Sequence, residues 1–301
     1  MLEIPSCNLT TATTNHLADQ QTDINRKATY QEKVARAKAL WNSKESSIPK
    51  KAAFEKIKKE LRALAIGKLY CNYCEHGEIY DIEHIFPKSL FPDKTFQAEN
   101  YLYACKACNT GEKLAKFKIF HPAGSTTVLD ITPKGGKNRI YTIPASADSV
   151  LINPKVENPM DFLFLNLQRG TFALHPQKTS QRDQLRFEYT IELLNLNQRL
   201  HRARKNAVLY FWNLLVRYKE AQSAQSIGEL KKVADQYSPV DNFTLENLEK
   251  GKQEVFKHIK ENIITSTHQT VWKEMQRQQA TNSNLTNLKN IFSQLPEALT
   301  W

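Results

Sequence analysis

At 301 residues, with a formal net charge of +11, 41% hydrophobic and 24% charged residues, the chain is long enough to bury a substantial core. Only nine glycines argue against a loop-rich or β-barrel protein and lean the composition toward helices. A pI near 9.3 points to a polyanionic partner such as nucleic acid, set against the ordinary alternative of solvated lysines.

The N-terminal stretch "MLEIPSCNLTTATTNH" has no basic start followed by an apolar run and does not read as a secretory signal. The longest apolar run, Ala207 to Val216, is interrupted by Asn213 and is too short to span a bilayer. The expectation is a cytoplasmic protein with no membrane partner. Between Arg26 and Lys68 there are thirteen basic residues against four acids. There "YQEKVARAKALWNSK" and "KKAAFEKIKKELRALAIGKLY" carry Val34, Ala37 and Trp41, then Phe54, Ile57, Leu61 and Leu64 at helical spacing.

Five cysteines follow a pattern: Cys7 alone, then Cys71 and Cys74, thirty residues, and Cys105 and Cys108. Two Cys-x-x-Cys turns complete a closed tetrahedral site, so these four are expected to hold a structural zinc. A reducing compartment disfavours disulfides, and Cys7 is left as a free thiol. Between the knuckles, "EIYDIEHIFPKS" predicts a short strand closed by a proline loop, "SLFPDKTFQAEN" a loop and "YLYACKAC" a second strand. "NTGEKLAKFKIF" predicts a helix opening at Asn109.

"IEHIFPKS", then Asn100, then "CKACNTGEK" resembles the HNH nuclease motif. The resemblance covers residues 71 to about 118 and implies a ββα-metal core. By the family pattern His84 would be the general base, Glu83 and Asn109 ligands of a catalytic Mg2+ or Mn2+, and Asn100 a structural residue behind His84. The residue types suit that chemistry: an imidazole is the natural base near neutral pH, and oxygen ligands leave a divalent ion open to a phosphate. The family more often has aspartate before the histidine. Glutamate stands there in this chain, and successive strand residues face opposite ways, so Asp81 is a rival metal ligand. Lys113, four residues after Asn109, either meets a substrate phosphate or is a solvated lysine. Lys88 and Arg202, the latter in the basic run "RLHRARK", are the other candidate contacts to nucleic acid.

Farther on, "STTVLDITPKGGKNRIYTIPASADSV" reads as a turn-rich linker, "VLINPKVENPMDFLFLN" and "RGTFALHPQ" as a short β element. Helices are predicted over Leu185 to Leu194, Asn197 to about Ala224, Ile227 to Tyr237, Thr244 to about Gln278, and Asn284 to Ser293. The apolar ending "IFSQLPEALTW" is either a partner-docking segment or a frayed tail. The expected organisation is a basic helical region over 1–69, an HNH core over 70–120, a linker with short β elements over 121–180 and a helical region over 181–301. The fold class is α+β, predominantly helical, with a zinc-clamped core. "CNYCE", "NYLYACKACN", "LINPKVENPMDFL" and "TIELLNLNQRLHRARK" further resemble the HNH subunit of Septu-type anti-phage systems, including retron-associated ones. That resemblance implies a defence nuclease acting beside an ABC-type ATPase. The alternatives are a non-catalytic zinc-organised nucleic-acid-binding module, a helical scaffold whose HNH core has decayed, or a restriction- or homing-type HNH nuclease.

Overall fold

The computed structural model describes residues 1–135, 141–238, 243 and 246–301. Three helices come first: α1 (Thr11–Asn25), α2 (Tyr30–Asn42) and α3 (Ile48–Ala63). Local chemistry starts each of them. Thr10 caps α1, a reciprocal Thr29–Glu32 capping box opens α2, and a proline sits in the first turn of α3, where its missing N–H costs nothing. Of the predicted stripes α2 buries Val34, Ala37 and Trp41, with Leu40 beside them, and α3 buries Phe54, Ile57 and Leu61, with Ala53, while Leu64 is half-buried; Trp41 meets Phe54 edge-on.

No apolar periodicity announces α1, because its buried face is half polar: Thr13, Leu17, Gln21 and Ile24. Gln21 is buried because its amide is fully used, donating to Pro92 O at 3.0 Å and accepting from Phe96 N at 2.9 Å. A satisfied amide at that position ties α1 to the loop that follows the first strand.

Strands β1 (Asp81–His84) and β2 (Tyr101–Ala104) pair antiparallel, with His84 opposite Tyr101 and Asp81 opposite Ala104. Ile82, Tyr101 and Tyr103 join Leu17, Trp41, Phe54, Ile57 and Phe96 in one buried cluster, so the helices and the hairpin share a core. After β2 the chain makes a π-helical segment, Ala107–Lys113. The helix predicted from Asn109 through Phe120 ends there. Leu114 takes a positive φ of 48°, which a helix cannot continue, and Phe117 and Ile119 are buried at a spacing of two, the period of a strand. Residues Lys118–Phe120 form β3, paired with β4 (Val128–Asp130). A third hairpin joins β5 (Leu163–Asn166) and β6 (Thr171–Leu174).

Helices α4 (Gln181–Leu193), α5 (Leu196–Ser223), α6 (Ile227–Tyr237), α7 (Leu248–Thr265), α8 (Gln269–Thr281) and α9 (Thr286–Gln294) complete the described chain. The spacing predicts one helix from Thr244 to about Gln278. Thr244 lies outside the described residues, and the remainder is two helices, α7 and α8, parted at His268, whose φ is 57°. The fold is α+β, dominated by helices with small antiparallel sheets. Among the described residues no helix is long and apolar enough to cross a membrane.

The residues gather into two compact units: Met1–Phe164 with Phe172–Arg199, and Leu165–Thr171 with Leu200–Trp301. Within the first, the segment after the strands is tied down by Ile152 N donating to Thr190 Oγ1 at 3.0 Å and by the half-buried ion pair of Arg186 with Glu157. Within the second, Trp272 lies at the centre of Phe211, Phe292 and Trp301, and its indole N–H donates to Trp301 O at 3.2 Å. The apolar ending is therefore docked within its own unit. Gly170 in that unit has a φ of 71°, and a Cβ there would lie 2.1 Å from His201 O. Gly170→Ala is expected to cost about 3 kcal/mol through left-handed strain and backbone overlap. Urea unfolding checks it, and an unchanged midpoint would contradict the close approach.

Candidate functional site

The two cysteine knuckles meet. Cys71 and Cys74 lie in a tight turn in which Glu75 N donates to Cys71 O at 2.8 Å and Glu75 takes a φ of 59°. Gly77 closes the turn because nothing larger fits: a Cβ there would stand 2.8 Å from Cys105 Cβ. Cys105 follows β2, and Cys108 lies on the π-helical segment. All four are buried, and their sulfurs lie within 4.8 Å of one another. Tetrahedral zinc with bonds of about 2.3 Å would separate its sulfurs by about 3.8 Å, and Cys74 Sγ is 3.7 Å from Cys105 Sγ. The cluster is thus shaped to hold a structural metal such as zinc. Arg199 Nη2 donates to Cys108 Sγ at 3.3 Å. A guanidinium beside a thiol favours thiolate, the metal-binding form. Cys7 stands apart, half-buried, with Lys155 Nζ 3.8 Å from its sulfur.

β1 sends its last two side chains to different neighbours. Glu83 is buried with its Oε1 2.6 Å from Nζ of Lys113, which is itself 0% exposed. Lys113 Nζ also donates to His84 O at 2.8 Å. Burial raises the Glu83 carboxyl above its ordinary range, and Lys113 opposes that rise. Lys113 therefore does not meet a substrate phosphate, nor is it a solvated lysine. A carboxylate taken out of water demands a counter-charge, and Lys113 supplies it.

The His84 ring packs edge-on against Trp41 of α2, centroids 4.2 Å apart, and against Tyr101 at 5.2 Å. Its Nε2 lies 3.0 Å from Thr95 O. A carbonyl can only accept, so Nε2 carries the proton and Nδ1 is the basic nitrogen. Burial, and next the Lys88 ammonium, push the imidazole well below its ordinary range, so it is neutral at pH 7. Asn100 braces the loop behind it, accepting from Phe86 N at 2.7 Å and donating to Phe86 O at 3.0 Å and Lys94 O at 2.9 Å.

Asn109 is half-buried on the π-helical segment, and Asp81 Oδ1 accepts from Ile82 N at 2.7 Å. Among the described residues the four cysteines are the only group of three or more His, Cys, Asp and Glu side chains whose donors converge. Neither Glu83 nor Asp81 belongs to such a group among the described residues, and Glu83 faces the Lys113 ammonium. Lys88 is half-buried, and Arg202 is exposed on α5 in the second compact unit. Trp41, Lys44, Thr95 and Tyr101 surround the histidine without any sequence signal toward it. Trp41 sits in an apolar helical stripe, which reads as core. No family model, curated protein or solved structure matches the chain.

Proposed function

We propose that the chain is an HNH-type endonuclease that hydrolyses phosphodiester bonds of nucleic acid, with DNA the first substrate to test. The observation that carries the proposal is the pinned, neutral His84, with Nε2 committed to Thr95 O and Nδ1 left unprotonated. On this reading Nδ1 takes a proton from water as the water oxygen attacks phosphorus. The P–O bond to the leaving oxygen breaks, and that oxygen takes up a proton. The hairpin of β1 and β2, the Asn100 brace and the cysteine cluster support it, each holding β1 in place. The reading also calls for Mg2+ or Mn2+, which would stabilise charge on the phosphate. Glu83 and Asn109 are the donors the motif assigns to it, and in the described conformation Glu83 is paired with Lys113.

His84→Asn is expected to lower cleavage at least about 100-fold while zinc content and circular dichroism stay unchanged. Equal cleavage by this variant would end the proposal. A second reading, a zinc-organised nucleic-acid-binding module, draws on that same neutralised Glu83; binding without cleavage under any divalent ion would favour it. The resemblance to Septu-type subunits extends the proposal to an anti-phage effector beside an ABC-type ATPase, which co-purification from the native host tests.

A further inference from the structure

Two ammonium groups lie over one indole beside His84. Lys44 Nζ lies over the Trp41 ring at 4.9 Å from its centroid, and Lys88 Nζ lies over the same ring at 5.7 Å. That indole is the one packed on the His84 imidazole. Glu45, next to Lys44 in the chain, pairs with Lys58 at 2.7 Å, and Glu83 pairs with Lys113; Asp81 acts on Lys88 only from beyond ion-pair distance. Among the described residues neither Lys44 nor Lys88 has a carboxylate at ion-pair distance.

Both backbones are anchored. Lys44 follows the end of α2, with its amide donating to Trp41 O at 3.3 Å. Lys88 follows Pro87, whose carbonyl accepts from Leu90 N and Phe91 N, each at 2.8 Å, in the loop that Asn100 braces. Both side chains are half-buried. Cation–π contact with an indole holds an ammonium in place but does not neutralise it. Burial lowers the proton affinity of Lys88, Glu83 and Asp81 sustain it from beyond ion-pair distance, and the neighbouring Lys44 lowers it further. Two like charges at one partly desolvated ring are unfavourable unless an anion joins them.

We infer that Lys44 and Lys88, seated on Trp41, form a phosphate-binding clamp beside His84 that takes a phosphodiester of nucleic acid. Lysine suits this role as a point charge for phosphate oxygen. That the clamped phosphate is the scissile one rests on the nuclease reading; that the clamp binds phosphate does not.

The test uses the full zinc-loaded chain with no added divalent ion, so that nothing is cut. Fluorescein-labelled duplex DNA is titrated by anisotropy over a salt series with the parent, Lys44→Gln, Lys88→Gln, the double variant and Lys250→Gln. Lys250 is an exposed helix lysine paired with Glu246 and serves as the control. The double variant is expected to bind about tenfold or more weakly, with the slope of log K against log salt smaller by about 0.9 per lost contact. The Lys250 variant should match the parent. Inorganic phosphate, followed by tryptophan fluorescence with Trp41→Phe as reference, separates the sources of the anion. A response lost in the double variant means that free phosphate suffices, and no response means that the clamp needs the polymer; both agree with the inference when the DNA result holds. Unchanged affinity and slope in the double variant, or a parent that binds no DNA, overturns it. His84-dependent cleavage with unaffected lysine variants would sink the clamp and spare the nuclease. Clamp-dependent binding with no cleavage would do the reverse.

Discussion

Removing metal from the four-cysteine cluster is expected to unfold β1, β2 and the π-helical segment together. Purified under reducing conditions, the chain should carry one zinc ion at Cys71, Cys74, Cys105 and Cys108. The cluster joins the turn before β1 to the residue after β2 and to the start of the π-helical segment, so its loss frees the hairpin at two points. Structural zinc contributes about 10–16 kcal/mol of apparent binding free energy, as much as or more than the 5–15 kcal/mol or so by which whole domains are stable. Packing cannot replace that. Four buried thiols without a cation leave a small polar cavity, and the surrounding hairpin is only four residues per strand. Cys108→Ser removes one ligand and also strands the Arg199 guanidinium that donates to that sulfur. Elemental analysis by mass spectrometry, together with near-ultraviolet dichroism of the buried Tyr73, Tyr101 and Tyr103, follows the outcome. A metal-free protein with unchanged dichroism and melting would refute the structural role.

Lys113→Met should destabilise the first compact unit by about 3–5 kcal/mol, the usual consequence of deleting one partner of a buried ion pair. The variant keeps the aliphatic length and loses the charge, so the Glu83 carboxylate and the His84 carbonyl are both left without their donor. The effect has a pH signature. Burial already holds the native Glu83 carboxyl above its ordinary range, and Lys113 restrains that rise, so the variant raises it further. A raised native value means that the folded chain binds more protons than the unfolded chain, and stability then falls as pH rises through that window. The loss should therefore be greater at pH 8 than at pH 5, where protonation of Glu83 relieves it. Pairing the change with Glu83→Gln should recover much of the stability, since two uncharged side chains leave no orphaned ion. Denaturant titrations at the two pH values check this. A loss independent of pH, or no rescue by the double change, would mean that Lys113 matters through packing alone.

What could be read in advance was what is local in sequence. Paired Cys-x-x-Cys turns announce a metal cluster because chelation depends on spacing within four residues. Likewise α2, α3, α5 and α6 follow from periodic apolar stripes, and the two strands of the first hairpin from short runs between turn residues. The failures were non-local. α1 hides because the buried amide of Gln21 is satisfied by a loop some seventy residues away. The break between α7 and α8 depends on one residue, His268, in a left-handed conformation.

At the candidate site the sequence determined which groups are available: four sulfurs, an acid beside a histidine, a bracing asparagine and an excess of lysine. The tertiary structure alone decided their partners. It turned Lys113 inward onto Glu83, laid Trp41 against His84, and seated Lys44 and Lys88 over that same indole. A charge's partner is chosen by where burial removes water, and burial is a property of the packed chain that no stretch of residues carries by itself.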